Sequence, residues 1–241
     1  MAILPAVVFV GFAFLTANFT PEAESPFASH AEYFNLVGGV VFLFIALAAP
    51  EMLIPDRKEG VLSIYASRPM RADDYVWARA AALALVLLGF LLVPHILMYV
   101  GFAALSPDGI ARALIENSGD LPKIVLTAIV YVAGYVPIAL LIATFAARKS
   151  VAAGIFLVGM PILTGIGNNL VEASDFPGHR YGALLSLTEH PAHVRDWIFD
   201  RAAVEVAMAR AGFDPWLTLT IIVVIAAACL TVVLARYRRL M

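Results

Sequence analysis

The sequence predicts an all-α polytopic membrane protein with six transmembrane helices, a short helix in a charged loop, and an outer amphipathic segment between helices five and six. Three observations predict it. Of the 241 residues, 62% are hydrophobic and only 14% are charged, with a mean hydropathy of +0.89, too little polar surface to coat a water-soluble globule of this size. Six apolar runs, at 3–19, 36–55, 80–105, 125–147, 151–172 and 216–235, each approach the roughly 20 residues a spanning helix needs. The runs are continuously apolar rather than alternating, which excludes a membrane barrel and leaves helices to satisfy the backbone in lipid. Almost nothing remains for a soluble domain, so residues 1–241 read as one transmembrane domain.

The first run lacks a basic n-region and is therefore read as a retained helix rather than a signal peptide. Residues 20–35 follow with Glu22, Glu24 and Glu32 and no base. The second run carries Glu51 near its end. Residues 56–79 then hold five of the sixteen Lys and Arg residues, Arg57, Lys58, Arg68, Arg71 and Arg79, and a short loop that basic belongs on the cytoplasmic side. Gly60 to Ser67 reads as a helix with Val61, Leu62, Ile64 and Tyr65 free to press against something outside the membrane. Pro69 ends it and Gly60 weakens it, so it needs a docking surface. Asp73 is a suitable N-cap for the third span, which carries His95 just after Pro94.

The fourth run places Tyr131 and Tyr135 on one face, a packing or interface pattern. In the fifth, Thr164, Asn168 and Glu172 recur at i, i+4 and i+8, so they share a face that avoids lipid and turns to a cavity or a seam with another helix. In residues 174–215, Val194, Trp197, Ile198, Ala202 and Glu205 fall at helical spacing with Arg195, Asp196, Asp200 and Arg201 between them. That pattern predicts either an amphipathic helix lying on the outer surface or a solvated hairpin that only joins helices five and six. With the N-terminus inside, ten basic residues lie on the cytoplasmic side and six outside, so both termini are expected in the cytoplasm of a cell that carries the protein in its inner or plasma membrane.

The residues Glu59-Gly60-Val61-Leu62, then Ser67-Arg68-Pro69-Met70, then Asp74-Tyr75, resemble the E-G-T-L … S-x-P-v-s-R … Y pattern of type-2 ATP-binding cassette (ABC) transporter permeases. Six spans, cytoplasmic ends and an enlarged outer loop before the last helix extend the resemblance over most of the chain. The family's basic elbow helix has no counterpart ahead of the first run, and Arg71 follows Met70 more closely than the family's base does. The resemblance implies that Glu59, Gly60, Val61, Leu62, Ile64, Tyr65 and Arg68 belong to a coupling helix that docks on an ABC ATPase subunit. It also implies a second permease chain, identical or paralogous, with Thr164, Asn168 and Glu172 near the seam. ATP and Mg would be bound in the partner subunit, because this chain has no G-x-x-x-x-G-K-[ST] motif and is expected to bind no cofactor itself. It implies no particular cargo, since permeases of this type move drugs, lipids and glycans alike.

Other classes fit less well. A net charge of −2 argues against nucleic acid, and the single Cys229 permits neither a disulfide nor a zinc cluster. Asp108-Gly109-Ile110-Ala111-Arg112 superficially resembles the motif of CDP-alcohol phosphotransferases, lipid head-group transferases, but one residue is missing and no carboxylate cluster could hold the metals. No G-x-S-x-G turn is present for a serine hydrolase. An ion-coupled secondary transporter is the main alternative, with Glu51, His95 and Glu172 as its few intramembrane ionisable groups. Each has a plainer reading, Glu51 reaching the interface and His95 as a core histidine. His179, His190 and His193 could form a metal site only by converging with a fourth ligand, and Pro191 interrupts their helical spacing. No catalytic residue and no metal site is expected.

Overall fold

The apolar runs at 36–55, 80–105, 125–147, 151–172 and 216–235 fold as helices that begin ahead of their hydrophobic windows, where polar residues supply caps and ion pairs. The computed structural model describes residues 6–11, 29–61, 71–107, 109–173, 177–202 and 205–240. Five helices are long and apolar enough to cross a membrane: α1 His30–Lys58, α2 Ala72–Ala104, α4 Asp120–Phe145, α5 Lys149–Glu172 and α8 Pro215–Leu240. Shorter pieces join them, α3 Ile110–Glu116, a 3₁₀ turn His179–Leu185, α6 His190–Ile198 and α7 Ala207–Arg210. Every element among the described residues is helical. Of the expected first span, residues 6–11 are described and helical, with Phe9 edge-on to Tyr33.

The ends follow from local chemistry. Ser29 caps α1, its hydroxyl oxygen accepting from the Ala31 N–H at 3.2 Å. At the far end Glu59 donates to the Pro55 carbonyl at 2.8 Å, and Gly60 takes φ +71°, where a residue with a Cβ is strained. Gly60 therefore ends α1 instead of opening the next helix, as the sequence suggested. Residues 62–70, and with them Leu62, Ile64, Tyr65 and Arg68, lie outside the described residues. Asp74, not Asp73, caps α2, its carboxylate accepting from the Arg71 N–H at 3.1 Å. Asp73 is instead held by Arg238 from the end of α8, Nε and Nη2 each 2.7 Å from one carboxylate oxygen. In α5 the turns over Ile155–Gly159 widen to π geometry just before Pro161, which cannot donate to the regular ladder.

Helix α4 is the hub, packing against α1, α2, α6 and α8. The core is a set of i, i+4 ladders: Val37, Val41, Ile45, Ala49 and Leu53 on α1, and Leu83, Leu87 and Leu91 on α2, all buried. The opposite faces carry exposed Leu36, Val40, Leu43 and Leu47, and Leu85, Val86, Val93 and Ile96, an outward apolar surface that suits a bilayer.

The two ends of the bundle differ in chemistry. At one end, hereafter the basic end, the last residues of α1, α4 and α8 meet the first residues of α2 and α5. Arg57 donates to the Ala143, Thr144 and Ala146 carbonyls and so caps the negative terminus of α4. Asp56 takes both Arg79 and the Tyr75 hydroxyl, and Lys149 pairs with Glu51 at 2.6 Å. The other end is closed by residues 177–214.

Candidate binding cavity

Residues 177–202 and 205–214 do not lie over the bundle as a surface helix; they pack down into it. Two close approaches make this possible. The 3₁₀ turn sits on α5 with Gly167 against Gly182, where a Cβ on Gly167 would stand 2.6 Å from the Gly182 carbonyl oxygen. Pro191 at the start of α6 rests on Gly134 of α4, where an added Cβ would come within 2.8 Å of its ring. Hydrogen bonds then fix the register. Thr164 and Thr188 hydroxyls meet at 2.8 Å, and the Asn168 amide donates to Glu189 Oε1 at 2.8 Å. Arg210 donates to Glu172 at 2.6 Å and to the Asn168 carbonyl oxygen at 2.7 Å. The polar stripe on α5 thus has partners within its own chain, the two residues Thr164 and Asn168 clasping the segment and Glu172 anchoring its return through Arg210.

Beneath this segment lies a half-open cavity of about 720 Å³. Helix α1 contributes Glu32, Asn35, Gly38, Gly39 and Phe42, residues three or four apart and so on one face. From Glu32 to Phe42 that wall runs about 15 Å along the helix axis. The buried Tyr131 and Tyr135 of α4 and the exposed Pro161 of α5 line it together with Glu189, Arg195, Asp196, Arg201 and Glu205, of which Arg201 and Glu205 are exposed at the rim and Arg195 and Asp196 are buried behind it.

Arg195 and Asp196 form the core behind that rim. The Arg195 Nε donates to Asp196 Oδ1 at 2.8 Å and Nη1 to the Tyr131 hydroxyl at 3.3 Å, with the two side chains 8% and 11% exposed. Burial alone would discourage the Arg195 charge, but Tyr131 and Asp196 beside it leave its proton held more tightly than usual. Helix α6 ends in a tight reversal, with Asp200 at φ +55° and the Arg201 N–H donating to the Asp196 carbonyl at 2.8 Å. The reversal brings Arg201 back to Glu32 of α1 at 3.1 Å. Glu189 Oε2 accepts from the Ala207 N–H at 2.7 Å, and the Tyr135 hydroxyl donates to the Thr188 carbonyl at 2.8 Å.

Other residues singled out by sequence stand apart from the cavity. His95 is fully buried, its Nδ1 2.8 Å from the Leu91 carbonyl, its ring packed between Phe34 and Tyr33 and stacked on His30. Glu51 is exposed at the basic end rather than in the interior, paired with Lys149. Glu59 and Gly60 are exposed and Val61 half-buried there too. His190 and His193 are buried with separate partners, the Ala183 carbonyl at 3.3 Å and the Thr218 hydroxyl at 2.8 Å. No group of three His, Cys, Asp or Glu side chains suited to a metal occurs among the described residues.

Amphipathic reasoning turned Arg195 and Asp196 outward, and that is corrected here: they face the cavity, neutralising each other, while Trp197 is partly exposed. A signal was present, since Arg195 and Asp196 are adjacent opposite charges, a pattern that can be buried as a pair. A comparison of the sequence with protein-family models and with curated proteins finds no match to either.

Proposed function

We propose that this chain is the membrane-spanning permease subunit of an ATP-driven transporter, exporter-like and of the type-2 ABC class, which couples ATP hydrolysis in a separate subunit to movement of a substrate across the membrane. The observation that carries this reading is the course of α1. One continuous helix of 29 residues lines the cavity with Glu32 to Phe42 and ends at Glu59-Gly60, where the motif of the resemblance begins. A shift imposed at that loop therefore reaches the cavity wall along a single helix, which carries Pro50 and Pro55 between the two. ATP binding in the partner acts by favouring one of two packings of the bundle, since a ligand moves only states for which it has different affinity.

In this reading residues 3–19 are a sixth span, a coupling helix lies within residues 56–69 after Gly60, both chain termini are cytoplasmic, and the cavity opens outward in the plasma or inner membrane. The seam with a second permease chain runs along the exposed faces of α1 and α5, where Gly39 and Pro161 leave the side of the cavity uncovered. Thr164, Asn168 and Glu172 border that seam through the segment they hold. An ion-coupled mechanism gains no support from the interior. Glu51 and Glu172 are exposed at the two ends, and the buried His95 stacks on His30 and packs among aromatic rings apart from the cavity.

The test is recovery of the tagged chain from its native membranes. A second chain with a phosphate-binding G-x-x-x-x-G-K-[ST] loop should be retained, and Glu59→Arg with Leu62→Asp should release it while the permease stays inserted. Retention of no ATPase by the unaltered chain, with crosslinking before solubilisation, contradicts the reading. Cysteines at Lys58 and Asp200, in a Cys229→Ser background, should react with an impermeant thiol reagent from opposite sides of the membrane.

A further inference from the structure

The cavity's charges do not cancel. Four carboxylates, Glu32, Glu189, Asp196 and Glu205, line it against two guanidiniums, Arg195 and Arg201. Both guanidiniums are already engaged, Arg195 by Asp196 and Arg201 by Glu32. Glu189 meets only neutral donors, the Asn168 amide and the Ala207 N–H, and Glu205 has no ion pair among the described residues. Glu32 Oε2 is shielded from solvent without a hydrogen-bond partner. Two uncompensated negative charges therefore stand at the mouth. Below them the walls are Phe42, Tyr131, Tyr135 and Pro161, with Gly38 and Gly39 offering bare backbone instead of side chains.

We infer that this cavity takes an amphiphilic organic cation, its positive centre between Glu189 and Glu205 and its apolar body against Phe42 and Pro161. Three physical features select that class. An anion would meet a mouth of net negative charge whose guanidiniums are both occupied, and would have to break the buried Arg195–Asp196 pair or displace Glu32 from Arg201 to reach one. A small hydrated inorganic cation would gain little from aromatic and proline walls, whereas an organic cation is attracted both by carboxylates and by the faces of Tyr and Phe rings. The volume of about 720 Å³ falls in the range of small-molecule sites.

This inference rests on the cavity being the cargo site of the proposed permease. The experiment is a binding measurement on the full chain in lipid nanodiscs with tetraphenylphosphonium and tetraphenylborate, ions of nearly equal size and opposite charge, each corrected against empty discs. Tetraphenylphosphonium is expected to bind saturably, about tenfold or more tighter than tetraphenylborate, and to lose about tenfold in Glu189→Gln and in Glu205→Gln. Glu205→Gln changes an exposed side chain and keeps the fold testable if Glu189→Gln disturbs the Ala207 contact. Equal or stronger binding of tetraphenylborate, no saturable binding of tetraphenylphosphonium, or unchanged affinity in Glu205→Gln overturns the inference. Binding requires no ATPase. Cation binding by a chain that retains no ATPase from its native membranes would leave the ligand class standing and remove the permease reading, and retention of the ATPase without cation binding would do the reverse.

Discussion

At the cavity end the ion pair Arg195–Asp196 is walled in by Tyr131 and α4, its side chains 8% and 11% exposed, whereas Glu51 and Lys149 at the basic end stand 60% and 47% exposed. Separation alone does not distinguish the pairs, since both are in contact. Surroundings do. A buried pair cannot lose one member without leaving a desolvated charge, while an exposed pair hands each charge back to water. The Arg195–Asp196 pair thus holds α6 against α4 as one body, whereas the Glu51–Lys149 contact between α1 and α5 can open and re-form. That division suits a bundle driven from its basic end, where the proposed docking loop lies.

The sharpest way to break the comparison is to remove one member of each pair. Asp196→Ala should cost about 3–5 kcal/mol, because Arg195 remains buried without its counter-charge. Thermal melting in detergent reads this, and a loss as small as that of a surface substitution would show that water reaches the pair. Next in size is Gly167→Val, whose Cβ would collide with the Gly182 carbonyl and Ser186. Lifting the 3₁₀ turn off α5 should cost about 1–3 kcal/mol, and a melting temperature equal to that of the unaltered protein would contradict the close packing.

Acid should also act on the cavity end first. Burial holds His190 and His193 below the ordinary value of 6.5, with Asp196 and Asp214 partly offsetting this at His193. The unfolded chain then binds protons that the folded chain refuses, so this contribution is complete above pH 6.5 and is lost as pH falls below it. Melting at about pH 5 should fall below that at about pH 7.5, and a His193→Gln variant should flatten the difference. A profile that is flat in the unaltered protein would contradict the assignment. Smallest of all, Glu51→Ala should cost less than about 1 kcal/mol, with what effect there is vanishing in high salt. A loss comparable to that of Asp196→Ala would erase the distinction between the ends.

The same contrast explains what could be read from the sequence. The spans at 36–55, 80–105, 125–147, 151–172 and 216–235 were legible because length and apolarity dominate the behaviour of a helix in lipid, and each falls on one of the five long helices, whose starts lie up to eight residues earlier. Ends were less legible. Gly60 and Asp73 each carry two meanings, helix weakener or terminator and cap or ion-pair partner, and only tertiary contacts choose between them. Thr164, Asn168 and Glu172 were recognisable as a shared polar face, yet their partners Thr188, Glu189 and Arg210 are set by how residues 177–214 fold back, which no local periodicity encodes. For the same reason the cavity, assembled from α1, α4, α5 and the segment after α5, was invisible as a unit, although its residues had separately drawn notice as tyrosines, charges and a stripe.

The central claim is that events at the 56–79 loop reach the cavity through α1. It is tested most directly by the reactivity of a cysteine at Asn35, an exposed residue of the cavity wall. The chain carrying Asn35→Cys and Cys229→Ser, assembled with its ATPase partner in membrane vesicles, would be treated with an impermeant thiol reagent in the absence of nucleotide and in the presence of ATP with vanadate. The account predicts that trapping the ATPase changes the labelling rate severalfold and that adding Glu59→Arg removes the change. The same rate in both states, with ATP demonstrably bound to the partner, would contradict it.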